Sequence, residues 1–333
     1  MPKRRHHSPK STTQVPATSV APAPAERSSA GHWIGLTTLA LIVGFVAVWM
    51  YLHSEQPAAA TRPMPALSRT PDPTKFRADA WSLPAEDLLG FIEIPAGTFQ
   101  MGSDPSVDTL AYANERWSSD RYQGTVELPV FYIARYEVTV AQYRAFASAT
   151  NRDIEFDTSG SPDRPIANVS WTDALAYARW LEEKLRTWSD TPYELRRLLD
   201  QGWRIGIPSE AEWEKAARGS DGRIFPWGMR ATRERANFRG AATVPVGSIR
   251  CDDCAHGLAD MSGNVWELTR SPFQPYPYDA SDRPADPQAE ALYVMRGGSF
   301  TDAEGNIRTA VRGGIDPGAR RPFIGFRLVV SKW

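Results

Sequence analysis

A stretch of 20 residues without a charged side chain, from Trp33 to Leu52, divides the chain into a short N-terminal part and a long C-terminal part. At a rise of ~1.5 Å per residue, a helix of this length spans roughly 30 Å, the thickness of the bilayer core. Aromatic residues at both ends are typical of the membrane interface. The sequence therefore predicts a transmembrane helix at residues 33–52. A cleaved signal peptide is the alternative, because the small residues Ala58 to Ala60 follow closely, but its apolar region would span only ~7–15 residues.

The charges that flank this stretch predict its orientation. Residues 1–32 carry five basic side chains against one acidic side chain, and a cationic flank stays in the cytoplasm. This tail is rich in Ser, Thr, Pro and Ala and poor in large apolar residues, so we expect it to be disordered. Everything after Leu52 would then cross the membrane. We expect a single-pass protein of the bacterial inner membrane with its main domain in the periplasm.

The part after the membrane divides into a spacer and one folded domain. Residues 53–87 are rich in Pro and Ala, a composition that predicts a semi-rigid linker, and we place the domain at residues 88–333. The 12 Trp and 27 Pro of the chain indicate a loop-rich domain pinned by aromatic side chains. Because 38 basic residues balance 39 acidic ones, no nucleic-acid-binding surface is predicted.

Local patterns predict a mixed α and β domain with much irregular structure. Apolar residues alternate at 91–94 and at 99–101 on both sides of a turn at Pro95 to Gly97, which predicts a β-hairpin. Residues 130–133 predict a further strand. Capping signals predict three helices, which begin near Thr139, Thr172 and Ser209, and Gly219 is expected to end the third.

Eight motifs occur in a fixed order along the domain and carry a family resemblance. They are the segments Ile94–Gly102, Tyr136–Tyr143, Pro165–Ala174, Pro208–Gly219, Phe225–Gly228, Gly257–Glu267, Arg296–Phe300 and Gly325–Val329. Through them, residues 90–331 resemble the formylglycine-generating enzyme, or sulfatase-modifying factor, family. The resemblance implies an α+β fold of the C-type-lectin-like kind with little regular secondary structure.

The same resemblance raises the question of copper. Family members with the known activity oxidise a sulfatase cysteine to formylglycine, using copper held by two cysteines shortly after the Arg-Gly-Gly-Ser-Phe motif. The corresponding residues 301–312 of this chain contain no cysteine. Asp302, Glu304 and Asn306 offer hard oxygen atoms there, whereas copper(I) prefers soft thiolates. We therefore expect no copper-dependent formylglycine generation, and we assign no catalytic residue.

The motif at 257–267 predicts a structural calcium site. Two carboxylates seven residues apart, with Gly and Asn between them, can enclose a hard cation. The resemblance implies that Asp260 and Glu267 supply carboxylates and that Gly263 and Val265 supply backbone carbonyl groups. It also makes Asn237 a remnant of a second calcium site. The alternative is a turn that packs without a metal.

Cys251 and Cys254 are the two cysteines of the chain. Outside the cytoplasm, we expect them to form a disulfide, which would pin the loop before the predicted calcium ligands. A redox-active or metal-binding pair is the alternative. No thioredoxin-like βαβ pattern surrounds the pair.

The resemblance implies that the C-terminal region lines a substrate groove. The candidate groove residues are Trp266, Arg296, Ser299, Asp302, Arg308 and Arg312. Arginine suits the recognition of carboxylates, and surface ion pairs are the alternative role for these arginines. We expect an accessory, regulatory or maturation factor that binds a protein or peptide in the periplasm. The alternative is an oxidoreductase that modifies a peptide, by formylglycine-generating or altered chemistry.

Overall fold

The computed structural model describes residues 76–153, 161–279 and 291–332. The predicted tail at 1–32, the predicted transmembrane helix at 33–52 and most of the predicted linker lie outside these residues. Among the helices of the described residues, none combines the length and the apolar character that a membrane crossing requires.

The folded domain begins earlier than the sequence indicates. Strand β1 (Phe76–Arg77) pairs antiparallel with β2 (Leu83–Pro84). Ala80 and Leu83 are buried in the same apolar cluster as Phe91. Residues 76–87, which the sequence analysis assigns to the linker, therefore belong to the domain, because they cover part of its core.

Two four-stranded sheets form the framework of the described residues. The remaining strands are β3 (Phe91–Ile94), β4 (Gly97–Gly102), β5 (Gln123–Leu128), β6 (Phe131–Ala134), β7 (Arg204–Gly206), β8 (Trp266–Pro272), β9 (Tyr293–Arg296), β10 (Arg312–Ile315), β11 (Ile324–Gly325) and β12 (Val329–Ser331). The first sheet has the order β3-β6-β12-β7 and is antiparallel throughout. The second has the order β10-β9-β8-β11, and β11 joins it parallel to β8. Strands β4 and β5 form a separate antiparallel ribbon.

The predicted hairpin at 91–102 is wrong in its pairing. Both of its strands exist, as β3 and β4, but β3 pairs with β6 and β4 pairs with β5. Alternating apolar residues identify a strand and its buried face without identifying its partner. The turn at Pro95 to Gly97 carries the chain from one sheet to the separate ribbon. The strand predicted at 130–133 is confirmed as β6.

Four α-helices complete the described fold: α1 (Val140–Thr150), α2 (Trp171–Thr187), α3 (Tyr193–Asp200) and α4 (Glu210–Arg218). The capping boxes predicted at Thr139 and Ser209 are confirmed, as is the end of α4 at Gly219. Helix α2 begins one residue before Thr172, because Ser170 forms a capping box with Asp173. Helix α3 is an element that the sequence analysis does not predict.

Apolar side chains from the helices and sheets form two main clusters that hold these elements together. The larger cluster joins α1 and α2 to the C-terminal segment through buried aromatic rings, among them Tyr143, Phe146, Tyr177 and Phe326. The second surrounds Trp213 of α4, which has none of its surface exposed. Burying each such ring contributes about 1.5–3 kcal/mol to the free energy of unfolding. The predicted α+β class is confirmed, and α4 is fixed beside the second sheet.

Candidate functional site

The segment after β9 folds back on itself at two glycines with positive φ, Gly297 and Gly298. An added Cβ at Gly298 would lie 2.2 Å from the Asn306 carbonyl oxygen, so only glycine permits this close approach. The turn brings the Asp302 carboxylate to the indole N–H of Trp266 in β8. The missing side chain at Gly298 therefore shapes the loop that carries Asp302.

Asp302 is the centre of a small polar cluster, here called the Asp302 cluster. Its Oδ2 accepts hydrogen bonds from the Trp266 indole N–H at 2.9 Å, the Ser299 backbone N–H at 2.9 Å and the Ser299 hydroxyl at 2.6 Å. Its Oδ1 accepts one from the Asn306 amide at 2.8 Å. Hydrogen bonds to an ionised carboxylate are the stronger kind. The structure thus brings three of the predicted groove residues together, and it adds Asn306.

The three predicted groove arginines are buried. Arg296 and Arg308 have no exposed surface, and Arg312 is 4% exposed. Their guanidinium groups are bound inside the fold, which corrects the alternative of surface ion pairs. Arg312 also lines a small pocket beside Tyr276, and the groove role of the three arginines stays a prediction. A buried arginine needs a carboxylate partner and acceptors for its remaining N–H groups.

Those partners are glutamates, and most of them come from one helix. Arg296 pairs with Glu214 of α4. Arg312 binds Glu210 of α4 through two bonds of 2.7 and 2.6 Å. Burial by itself lowers the pKa of Arg296, but the neighbouring Glu214 carboxylate outweighs it and raises that pKa above its usual value. The two arginines therefore lock the second sheet onto α4.

Arg308 uses a different set of acids. It donates to Glu115 at 2.6 Å and to Asp108 at 2.7 Å, both in the loop between β4 and β5. Glu115 is fully buried. The ion pair therefore ties this loop to the segment that carries Asp302. Glu115, Glu210 and Glu214 are not predicted as partners from the sequence, although glutamates at alternate positions of one short capped helix are a visible signal.

The predicted calcium loop lies between the two sheets, and Glu267 is its most engaged member. The Glu267 Oε2 accepts from the Trp213 indole N–H at 2.7 Å and from the Arg327 Nε at 2.6 Å. Its Oε1 accepts from the Arg327 Nη2 at 2.6 Å. Because a carboxylate oxygen has two lone pairs, Oε1 keeps one for a cation.

Asp260 is buried and forms no ion pair with a basic side chain of the described residues. Its Oδ2 accepts from the Gly247 backbone N–H at 2.7 Å. Burial raises the pKa of Asp260 to about 6; the Gly247 hydrogen bond and the Arg327 charge oppose the rise, and the Glu267 charge adds to it. The Asp260 carboxylate is therefore a buried anion to which the described residues give one hydrogen bond and no cation.

A third buried carboxyl group, that of Glu137, faces this loop and is not predicted from the sequence. It is 1% exposed and accepts from the Asn264 amide at 2.8 Å and from the Val265 backbone N–H at 3.3 Å. Burial raises its pKa well above the usual range, and the charges of Asp260 and Glu267 raise it further. Within residues 76–153, 161–279 and 291–332, no three His, Cys, Asp or Glu side chains are arranged as a metal cluster. Calcium at this loop would need backbone oxygens beside the carboxylates.

Asn237, predicted as a remnant of a second calcium site, supports the same loop. Its amide group donates to the Ala242 carbonyl at 3.0 Å and to the Asn264 side-chain oxygen at 3.2 Å. The Asn264 amide in turn reaches Glu137. Asn237 therefore orients the residue between the predicted ligands Gly263 and Val265.

The two cysteine sulfurs form a close pair, 1.93 Å apart, in the loop before Leu258. This loop is joined to the turn at 225–228, because the Ala255 N–H donates to the Pro226 carbonyl at 3.1 Å. The Arg223 guanidinium donates to the Asp253 carbonyl at 2.6 Å. The position fits the predicted disulfide, which stays a prediction. In the described residues the pair lies in a loop that leads towards Asp260, as expected.

Comparison with known proteins gives the architecture a family context. Residues 78–332 match the sulfatase-modifying factor enzyme 1-like domain. Over 193 residues the chain is 35% identical to the formylglycine-generating enzyme of Streptomyces coelicolor, which covers 51% of this chain and 54% of that protein. Over 282 residues it is 27% identical to the hercynine oxygenase of Mycolicibacterium smegmatis, which covers 71% of this chain and 60% of that protein. The chain thus spans between half and two thirds of the length of these two relatives.

Among solved structures, PvdO from Pseudomonas aeruginosa has a similar fold. The two chains superpose with a TM-score of 0.58 and 26% sequence identity, over 72% of this chain and 94% of that chain. Both kinds of comparison therefore agree with the α+β architecture described above.

Proposed function

The chain belongs to the sulfatase-modifying factor family, and from this premise we propose that it is a binding protein, an accessory, regulatory or maturation factor that recognises a protein or peptide without using copper. One observation carries the proposal. The loop that follows the Arg-Gly-Gly-Ser-Phe motif offers a carboxylate, Asp302, and no thiol. Copper(I) binding depends on thiolate ligands, so the oxidase chemistry of formylglycine-generating relatives lacks its ligands here.

The Asp302 cluster supports a binding role for the same surface. Four hydrogen bonds fix the Asp302 carboxylate, and the neighbouring Thr301 is exposed. A fixed polar group beside an exposed loop is a suitable contact for a peptide, because little side-chain freedom is lost on binding. The buried ion pairs of Arg308 and Arg312 hold this loop from beneath.

Calcium is the proposed structural cofactor. Asp260 and Glu267 would supply one carboxylate oxygen each, and Gly263 and Val265 would supply carbonyl oxygens, as hard oxygen ligands for a hard cation. Glu137 adds a further buried carboxyl group facing the loop. Such a cation would balance the charge of Asp260 and fix the turn between the two sheets. It takes no part in a reaction step.

The membrane anchor at 33–52 is proposed to hold this domain in the periplasm, on the side of the membrane opposite to the basic tail. The support comes from the uncharged stretch and the five basic residues that precede it. Alkaline phosphatase fused to the C-terminus of the full chain should be active in bacteria, since that enzyme folds outside the cytoplasm. The orientation would be contradicted if the phosphatase fusion were inactive and a cytoplasmic reporter fused at the same position were active.

The binding role is tested by site-specific photo-cross-linking of the full-length protein in native membranes. A photoreactive residue at Thr301 should give one discrete adduct, and the same residue at Tyr193, an exposed position of α3, should not. The adduct should be lost when Asp302→Ala is added. Absence of any adduct at Thr301, or equal adducts at both positions, would contradict the proposed binding surface.

The oxidoreductase alternative is tested with the same protein. The full-length chain is incubated with copper(I) and a cysteine-containing sulfatase peptide, with the Streptomyces coelicolor formylglycine-generating enzyme as the positive control. We expect the peptide mass to remain unchanged in the sample with this chain. Detection of the aldehyde product by mass spectrometry would overturn the proposed function.

A further inference from the structure

A pocket of about 260 Å³ lies beside Phe300, two residues before Asp302. The segment 161–168 forms one wall, and Thr243 and Pro322 contribute to the others. The lining is mixed: Ile166, Phe300 and Pro322 are apolar, whereas Arg164 and Thr243 are polar. A site with apolar walls and a few polar groups is typical of small-ligand recognition.

Arg164 is the unusual member of this lining. Its Nε is buried and has no hydrogen-bond partner. No acceptor or carboxylate within the described ranges binds its guanidinium, in contrast to Arg296, Arg308 and Arg312. A buried guanidinium N–H without an acceptor is costly. Arg164 as a whole is part-buried and lines an open pocket, so a ligand there can supply an acceptor to the guanidinium N–H groups that are not buried.

The wall that carries Arg164 is held in place by backbone hydrogen bonds. The Val140 N–H donates to the Arg164 carbonyl at 2.9 Å, and the Ile166 N–H donates to the Val138 carbonyl at 2.8 Å. The neighbouring Asp163 carboxylate accepts the Ser161 hydroxyl and forms no ion pair with Arg164 in the described part of the chain. The pocket therefore exists before a ligand arrives, which lowers the cost of binding.

We infer that this pocket binds a carboxylate of the peptide ligand, with the Arg164 guanidinium as the anion-binding group and the Phe300 and Pro322 side chains as the contact for its aliphatic part. The inference rests on the proposed function and names one chemical feature of the ligand. The planar guanidinium matches a carboxylate in two parallel hydrogen bonds. The carboxylate comes either from an acidic side chain or from a peptide C-terminus.

Ligand-observed saturation-transfer NMR on the full-length protein in detergent distinguishes these sources. The probes are N-acetylglutamate α-amide, with a side-chain carboxylate, and N-acetylglutamine, with a terminal carboxylate. N-acetylglutamine α-amide, which has neither, is the neutral reference, and inorganic phosphate is the competing anion. We expect at least one carboxylate probe to bind about tenfold or more tightly than the neutral reference, because hydrogen bonds to charged groups are the stronger kind. Equal binding of all three probes would overturn the inference. So would a result in which inorganic phosphate displaces a bound probe at a lower concentration than the carboxylate probes do.

Three variants locate the binding. Arg164→Gln should abolish the difference between the charged and neutral probes, and Ala167→Leu should weaken all probes because Ala167 lines the pocket. Arg321→Gln is the matched control, since Arg321 is exposed and its guanidinium donates to the Arg320 carbonyl. Thermal unfolding checks that each variant is folded. Full carboxylate binding by folded Arg164→Gln would refute the assignment.

The outcome is separable from that of the proposed function. If the probes bind through Arg164 while Thr301 gives no cross-link, the pocket stands and the proposed partner surface fails. If Thr301 cross-links a partner while the probes bind equally well to Arg164→Gln, the proposed partner surface stands and the pocket assignment fails.

Discussion

The Arg327 guanidinium and the Glu267 carboxylate form a fully buried ion pair in which both N–O distances are 2.6 Å. Glu267 lies on β8 of the second sheet, and Arg327 lies between β11 of the second sheet and β12 of the first sheet. Arg327 also donates to the Ala134 carbonyl of β6 and to the Ala259 carbonyl beside the predicted calcium loop. One side chain thus connects both sheets and that loop.

Glu267→Gln should therefore destabilise the protein strongly. The substitution leaves the Arg327 charge buried without a counter-charge, which costs about 3–5 kcal/mol in the free energy of unfolding. Urea unfolding in the presence of EDTA measures this cost without a contribution from calcium. The matched control is Glu194→Gln, whose partner Arg197 is about half exposed and whose loss should cost about 1 kcal/mol or less. Similar costs for the two variants would contradict the structural role of the buried pair.

Asp302→Ala should have a smaller effect that is local to its cluster. The substitution removes the acceptor of the Trp266 indole N–H and of the Ser299 N–H, so we expect a loss of about 1–3 kcal/mol. Trp266 fluorescence should change because the environment of its indole changes. Asp316→Ala is the control, since Asp316 is exposed and binds only the nearby Gly318 N–H in the described structure. If Asp302→Ala is as stable as the control, water replaces the hydrogen bonds to Asp302 without a loss in the free energy of unfolding.

The signals that the sequence reveals are local in the chain. Thr139 and Ser209 form capping boxes with residues three positions later, so a few neighbouring residues are enough to predict the two helix starts. The strand that pairs with β3 cannot be predicted from neighbouring residues. Residues 91–94 and 99–101 alternate as a hairpin would, yet the pairing depends on β6 and β5, which lie more than twenty residues further along the chain.

The buried arginines show the same limit at the candidate site. Their types and motif positions are visible in the sequence, but their burial depends on distant glutamates. Glu210 lies 102 residues before Arg312, and Glu214 lies 82 residues before Arg296. The packing of α4 brings each pair together. Asp302, Ser299 and Trp266 are predicted together because two of them are neighbours and the third lies in an adjacent motif of the family pattern. Glu137 is missed because it lies in the connection between β6 and α1, and its partners Asn264 and Val265 are 127 and 128 residues further along the chain.

Gly298→Ala should destabilise the protein more than Gly202→Ala. Both glycines have positive φ, 71° and 84°, so alanine at either position costs about 1–2 kcal/mol in backbone strain. At Gly202 nothing lies within 4 Å of an added Cβ, whereas at Gly298 the Asn306 carbonyl oxygen would lie 2.2 Å away. Displacing Asn306 should cost about 1–3 kcal/mol more. Thermal unfolding of the two variants measures the difference, and equal midpoints would show that the loop after β9 relaxes freely.

Calcium should stabilise the protein, and Asp260→Asn should remove most of that stabilisation. The Asp260 carboxylate is buried, with one hydrogen bond and no basic partner in the described residues, so a divalent cation would balance its charge. At a free calcium concentration of about 100 times Kd, binding adds about 2.7 kcal/mol to the free energy of unfolding. Unfolding curves with calcium and with EDTA measure this difference for the natural protein, for Asp260→Asn and for the exposed control Asp316→Asn. We expect the control to keep the full difference and Asp260→Asn to lose it. If calcium does not shift the unfolding curve of the natural protein and calorimetry detects no calcium binding, the loop at 257–267 is a turn that packs without a metal.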